Sequence, residues 1–383
     1  MCIPTHRHTG ELTFGESFNA VATGKTHFWI AVLQDGAAAS SLPSLLKRTP
    51  FAYLIAPFMM PRGAVENQRK HRAYSVDVVR RRLNRPSVPP TDQEKKNNSH
   101  QDEEKGHGHG HGADHDIFAG LLSDPTVPEN VLVSQAYTLV IAGADTVSAT
   151  MTAALHFLCT TSPTPSSSSS SSSCMEILQA EVRALPYSQL TDAVLSHLPY
   201  LNAVIEETLR LFPPVAFGLP RVVPPAAPED EDEDEGGGGA NMTMMMIDGH
   251  AIPTGTEVSV AQWVMNRRAD VWGSRSAEFV PERWLRGVDD DDGEKKEKPV
   301  TFPFSTGPRA CIGITQAYLE MRVALAKLVH VYDLELEHEH EYEGTHDSRS
   351  KRGGGDWLQR SRMHFMWKKA PLRVRFVPRK TTS

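Results

Sequence analysis

Thr301–Gly313 reads TFPFSTGPRACIG and runs without a break into the helical pattern Ile314–Tyr332. Phe304, Gly307, Arg309, Cys311 and Gly313 form F-x-x-G-x-R-x-C-x-G, a cysteine on a glycine-bounded loop that opens a helix. A helix N-terminus carries roughly half a positive charge, which draws a nearby thiol toward thiolate. A thiolate is a strong axial ligand for haem iron and pushes electron density that favours O–O cleavage. Gly307 can adopt backbone angles closed to other residues, and Gly313 puts no side chain where a flat macrocycle would lie close. Arg309 offers a guanidinium to a carboxylate such as a haem propionate. A buried cysteine that merely starts a core helix is the plain alternative.

A second group of chemically suggestive residues lies in the longest helical pattern, Glu129–Cys159, introduced by Ser123-Asp124-Pro125 and Pro128-Glu129. At about 1.5 Å per residue this helix spans roughly 45 Å, the width of a domain. Its centre, Ala136–Ala144, is apolar on nearly every face and is expected to be buried. Within it stands Ala142-Gly143-Ala144-Asp145-Thr146. A mid-helix glycine costs about 1 kcal/mol against alanine, and an acid–threonine pair is awkward to bury. Both features make sense where a helix passes over a cofactor: Gly143 leaves room, Thr146 can hydrogen-bond dioxygen or a water, and Asp145 can relay protons from solvent. A capped break between two helices would leave a similar sequence.

The third group is Glu207-x-x-Arg210 in Leu198–Leu211, an amphipathic helix stopped by Pro213-Pro214. Three residues apart, the two charges are neighbours on one face, and an isolated pair of this kind stabilises by a few tenths of a kcal/mol. Pro281-Glu282-Arg283-Trp284 supplies a second arginine farther on. Val215–Val223 and Ile247–Val260 read as short strands between turn residues.

These motifs, in the order A-G-x-D-T, E-x-x-R, P-E-R-W and F-x-x-G-x-R-x-C-x-G, resemble those of the cytochrome P450 family of haem-thiolate monooxygenases. The flanking text PYLNAVIEETLRLFPPV and GLPRVVP resembles microsomal, fungal-type members that tailor secondary metabolites. The resemblance runs from about Glu11 to Pro378 and implies a mostly α fold with small β-sheets (α+β). It implies haem b held axially by Cys311, with Arg309 and Arg221 at the propionates and Phe304, Gly307 and Gly313 shaping the loop. Asp145 and Thr146 would deliver protons, and Ala142, Gly143, Phe217, Gly218 and Leu219 would line the substrate pocket. Glu207, Arg210 and Arg283 would form a structural network behind the cysteine loop. Val147 follows Thr146 where many members carry a second hydroxyl, so the water network is expected to be thinner here. Trp263 and Arg267 form a W-x-x-x-R, but after the E-x-x-R helix instead of before the oxygen helix, so they read as packing and surface.

The implied reaction is insertion of one atom of O2 into a small apolar substrate. NADPH and flavins would act only through a separate NADPH-cytochrome P450 reductase, with cytochrome b5 as a further partner, because the chain has no G-x-G-x-x-G. The basic residues near the cysteine loop would face that donor. The chain begins where family members are already inside their helical half, without the membrane anchor, the hinge and the expected W-x-x-x-R. The resemblance therefore implies an N-terminally truncated member, whose full-length form would sit on the cytosolic face of the endoplasmic reticulum membrane. Two alternatives remain open: a non-catalytic relic or fragment of such an enzyme, and a haem-thiolate isomerase or dehydratase. Asp145-Thr146 argues against the last.

Composition sets the frame for these elements. The 383 residues include 39 % apolar residues and 27 glycines, ordinary globular usage for a sizeable core. A net charge of −7 makes no case for nucleic acid. The four cysteines, at 2, 159, 174 and 311, have no disulfide-framework spacing and fit a reducing compartment. The biased tracts 85–116 (with the GHGHGHG run at Gly106–Gly112), 163–173, 224–240, 288–298 and 337–355 lie between structured segments and read as loop insertions in one domain. Glu11–Val21 and Phe28–Leu46 read as short helices, followed by the compact apolar loop Phe51–Met60 and the basic helix Ala64–Leu83. The loop and the basic helix could together rest on a membrane surface, or the loop could tuck against its own core.

Overall fold

The computed structural model describes residues 51, 54, 64–84, 121, 124–161, 172–225, 245–285, 301–337, 357–363 and 366–379. The two expected N-terminal helices and nearly all of the apolar loop after them and of the biased tracts lie outside the described residues. In chain order the helices are α1 (Ala64–Leu83), α2 (Glu129–Thr160), α3 (Cys174–Arg183), α4 (Asp192–Leu195), α5 (Pro199–Leu211), α6 (Gln262–Met265), α7 (Ala269–Trp272), α8 (Ile314–Val331) and α9 (Trp357–Arg360).

Eight short strands pair two by two, all antiparallel: β1 (Arg221–Val222) with β4 (Glu257–Val258), β2 (Met245–Ile247) with β3 (His250–Ile252), β5 (Tyr332–Leu336) with β8 (Val374–Pro378), and β6 (Arg362–Met363) with β7 (Trp367–Lys368). The architecture is mostly helical with small sheets. Asp248 and Gly249, both at positive φ, make the tight β2–β3 turn, the chemistry a two-residue hairpin demands.

The long helices form where local and tertiary signals agree. The last serine of its tract, Ser173, caps α3 reciprocally: its hydroxyl accepts from the Glu176 backbone while the Glu176 carboxylate accepts from the Ser173 backbone. Pro199 opens α5, and the first free N–H groups of that helix, on Tyr200 and Leu201, donate to the Glu181 carboxylate on α3 at 2.9 and 2.8 Å. At the far end of α8, Arg183 donates to the carbonyls of Val329 and Tyr332, so α3 also closes that helix.

The main core joins α2, α3, α5 and α8 through Leu155, Leu178, Leu201, Ile205 and Leu325, each almost wholly buried. Trp367 roofs it, stacked on Phe212 with ring centroids 4.4 Å apart. A smaller cluster of Val78, Val79, Leu132, Ala136 and Val140 packs α1 on the start of α2.

Three expectations need correction. The two predicted strands are broken into pieces of two or three residues, and only Arg221–Val222 of Val215–Val223 is strand. The centre of α2 is not buried on every face: Ala136, Val140 and Ala144 point inward while Tyr137, Thr138 and Ala142 are exposed, and continuous burial begins only at Val147. The capped break is excluded, since α2 runs unbroken through Gly143.

Candidate functional site

The cysteine loop is built by its own backbone. Gly307 lies at φ 70°, a left-handed angle that favours glycine, and opens a 3-10 turn over Gly307–Arg309. Ser305 also stands at positive φ, 60°, a costlier choice for a residue with a Cβ. The chain then doubles back so that the Cys311 N–H donates to the Phe304 carbonyl at 2.8 Å. Cys311 is exposed with a free thiol, three residues before α8 begins. Beside it Ile312 is 97 % exposed, and Phe302 and Ile314 are also open. Gly313 has an ordinary φ of −89°, and a Cβ placed there would come only to van der Waals range of the Cys311 sulfur, at 3.9 Å. Nothing inside the protein therefore requires glycine at 313, and any requirement lies on the open side.

Behind the loop, the structure brings Glu207, Arg210 and Arg283 together. Glu207 and Arg210 are completely buried, and their side chains meet in a two-pronged pair, Nε to Oε2 and Nη2 to Oε1, both at 2.8 Å. Arg283 donates to Glu207 Oε1 at 3.0 Å, and the Val280 N–H and Trp284 Nε1 complete the carboxylate's shell. Arg210 further donates to the carbonyls of Asn266, Ser276 and Glu278 and lies 4.9 Å from the Trp272 ring. The network thus fastens α5 to the 266–284 stretch. The Trp284 contribution was not anticipated, although P-E-R-W names it.

On α2, Thr146 donates its hydroxyl to the Ala142 carbonyl at 2.6 Å. Asp145, the expected proton carrier, is paired and not free. Lys369, 224 residues away and just after β7, donates to its Oδ1 at 2.8 Å. The two side chains are only 17 % and 11 % exposed. Lys369 also reaches the buried Ser148 hydroxyl at 3.3 Å. No sequence signal marks this lysine, which stands in the run Trp367-Lys368-Lys369.

The remaining candidates fall out differently. Arg309 and Arg221 carry exposed guanidiniums with no carboxylate partner among the described residues, and Arg221 meets only the neighbouring Pro220 carbonyl. Gly218 backs onto the chain after β4: a Cβ there would lie 2.5 Å from the Val260 carbonyl oxygen, so close backbone packing, not substrate selection, accounts for this glycine. Leu219 is exposed and Phe217 half-buried. Arg267 stacks 3.4 Å over Trp263 and donates to the Leu211 carbonyl; burial, with Arg210 nearby, lowers its pKa to about 10. This W-x-x-x-R is packing, with less surface character than expected.

The donor set fits haem. An exposed thiol lies on a loop between open apolar side chains, and two guanidiniums without a carboxylate partner among the described residues suit a flat apolar ring with two carboxylates. No cluster of metal-binding side chains exists among the described residues to suggest a different ion.

Comparison with known proteins gives one consistent result. The family described as cytochrome P450 matches residues 93–230 and 240–349. The chain is 32 % identical over 381 residues to "Cytochrome P450 monooxygenase BOA3" of Botryotinia fuckeliana (strain B05.10), covering 96 % of this chain and 61 % of that protein. It is 30 % identical over 382 residues to "Trichothecene C-15 hydroxylase" of Fusarium sporotrichioides, covering 97 % and 63 %. "Averantin hydroxylase" of Dothistroma septosporum (strain NZE10 / CBS 128990) is 29 % identical over 372 residues, covering 97 % and 59 %. The chain thus spans about three fifths of the length of these relatives. A crystal structure of a cytochrome P450 (CYP102L1) superimposes with a TM-score of 0.61 at 22 % identity, over 99 % of this chain and 69 % of that one.

Proposed function

The chain belongs to the cytochrome P450 family, and from that premise we propose that it carries the haem-binding half of a monooxygenase that hydroxylates a small apolar secondary metabolite. The observation that carries the proposal is the loop itself: the exposed Cys311, its N–H bonded to the Phe304 carbonyl, stands ahead of α8. Haem, when bound, supplies the iron chemistry that activates dioxygen.

The rest of the mechanism belongs to the chain's own residues. Cys311 would hold the iron through its thiolate, and Arg309 and Arg221 would meet the haem carboxylates. The Glu207–Arg210–Arg283 network holds the 266–284 stretch against α5, so that the segment leading into the loop starts from a fixed base. Thr146 spends its proton on the Ala142 carbonyl, which leaves its oxygen lone pairs free to accept from a water. Asp145 and Lys369 keep an exchangeable proton at the Oδ1···Nζ contact one residue away. The open face at Ala142 and Gly143 is small and apolar, which suits an apolar substrate. Names of relatives that end in hydroxylase support C–H hydroxylation over isomerisation. On this reading electrons come from a separate reductase, and the protein works at the endoplasmic reticulum membrane. Within the described residues, α2 alone is long and apolar enough to cross a bilayer, and most of that stretch is buried in the core.

The test is spectroscopic. Haem-loaded, reduced protein under carbon monoxide is expected to show the red-shifted Soret band of thiolate ligation, and Cys311→Ser to lose it. A histidine-type band, or one unchanged by Cys311→Ser, overturns the assignment.

A further inference from the structure

Glu206, the neighbour of Glu207 on α5, belongs to a separate cluster. It accepts a hydrogen bond from the Tyr318 hydroxyl at 2.7 Å, across from α5 to α8. Burial raises the Glu206 pKa against the pull of Tyr318 and Arg322, and burial beside Glu206 raises that of Tyr318, so the phenol remains a donor. Arg322 lies over the Tyr318 ring, 5.2 Å from its centroid. That arginine is itself fixed by Asn202 at 2.7 Å and Asp192 at 3.1 Å. The tyrosine ring is therefore held at its hydroxyl and on its face. What it presses against is Phe304, with ring centroids 5.2 Å apart. Phe304 is the residue whose carbonyl accepts from Cys311.

We propose that Glu206 and Tyr318 are positioning residues for the cysteine loop. The segment leaves the protein at Phe304, turns through Cys311 and returns in α8 at Tyr318. The Phe304–Tyr318 ring contact closes it at the base, and the Cys311–Phe304 hydrogen bond closes it again within. A phenylalanine at 318 would fill the same space but leave the half-buried Glu206 carboxyl without this donor. The acid thus makes tyrosine, and one ring orientation, the stable choice. Glu207 anchors the chain upstream of the loop, whereas Glu206 anchors the loop's own stem. The proposal rests on Cys311 as the haem ligand for its functional meaning, but its geometry is measurable without haem.

The experiment is amide hydrogen exchange at Cys311 in the purified chain, alongside the carbon monoxide spectrum of the haem-loaded protein. Tyr318→Leu is expected to speed exchange at Cys311 roughly tenfold, with smaller increases in the volume-conserving Tyr318→Phe and Glu206→Gln. The same variants are expected to show a reduced share of the thiolate band. Leu325→Ala, in the core farther along α8, serves as the control: it lowers global stability without selectively speeding exchange at Cys311. Unchanged exchange in all three stem variants, or equal acceleration by Leu325→Ala, overturns the proposal. Cys311→Ser separates the two claims. If it keeps the band while the stem variants still speed exchange, the ligand assignment fails and the buttress stands.

Discussion

Glu207→Gln is the sharpest probe of the buried network. The two Glu207 oxygens accept five hydrogen bonds: three at Oε1 from Arg210, Arg283 and the Val280 N–H, and two at Oε2 from Arg210 and Trp284. Glutamine keeps one acceptor and turns an NH2 group toward donors, so at least two contacts become donor against donor. It also leaves Arg210, fully buried, without its counter-charge. Removing one partner of a buried pair costs about 3–5 kcal/mol. The carbonyls of Asn266, Ser276 and Glu278 remain as Arg210 acceptors, which places the expected loss near the lower end, about 3 kcal/mol. At about 2–4 °C per kcal/mol for a large domain, the melting temperature should fall by roughly 6–12 °C. Urea unfolding followed by circular dichroism measures the difference directly. Glu129→Gln, which breaks the exposed Arg80–Glu129 pair, should cost less than about 1 kcal/mol in the same assay. If Glu207→Gln does not accumulate as folded protein, Trp284→Phe, which removes a single bond, should cost about 1–2 kcal/mol. A Glu207→Gln protein within about 1 kcal/mol of wild type would refute the reasoning.

The Asp145–Lys369 contact should show a coupling of about 1 kcal/mol or more in a double-mutant cycle with Asp145→Asn and Lys369→Met, because both side chains are mostly withdrawn from water. A coupling near zero would mean that the pair is in effect solvated. His71, buried between α1 and α2 against the Tyr137 ring, has its pKa lowered by burial from 6.5 to about 4. The unfolded chain then takes up the proton more readily, so stability present above about pH 6.5 should be lost as pH falls toward 4, by up to about 3 kcal/mol. Denaturant midpoints measured across that window should be flatter in His71→Leu, and an unchanged slope would rule out His71 as the cause.

How much of this was legible in the sequence depends on range. The basic helix Ala64–Leu83, α2 to within a residue and α5 were all set by periodicity and by proline punctuation, signals that act within one element. The cysteine loop was legible because glycine spacing encodes backbone angles directly, as the φ of Gly307 demonstrates. The strands were not, because pieces of two or three residues are too short to show alternation, and the pairing of Arg221 with Val258 is set by the packing of distant segments. Lys369 lay beyond reach for a related reason: nothing in a surface-like lysine announces a partner on another helix. The exposure of Ala142 was hidden by composition, since an apolar residue looks the same in sequence whether it faces the core or stands open.

The distribution of charge gives the site its polarity. On the α2 side, the only acid in the Ala142–Thr146 stretch is matched by Lys369, so that surface offers a nearly neutral, small-residue face to whatever lies beside it. Elsewhere, Arg309 two residues before the exposed Cys311 and Arg221 on β1 have no carboxylate partner among the described residues. A ligand that pairs two carboxylates with a large apolar plane satisfies both conditions at once: its acids meet the guanidiniums and its plane covers Ile312 and its neighbours. Among the described residues no side chain neutralises these arginines as Glu207 does Arg210, which is the electrostatic counterpart of the exposed isoleucine.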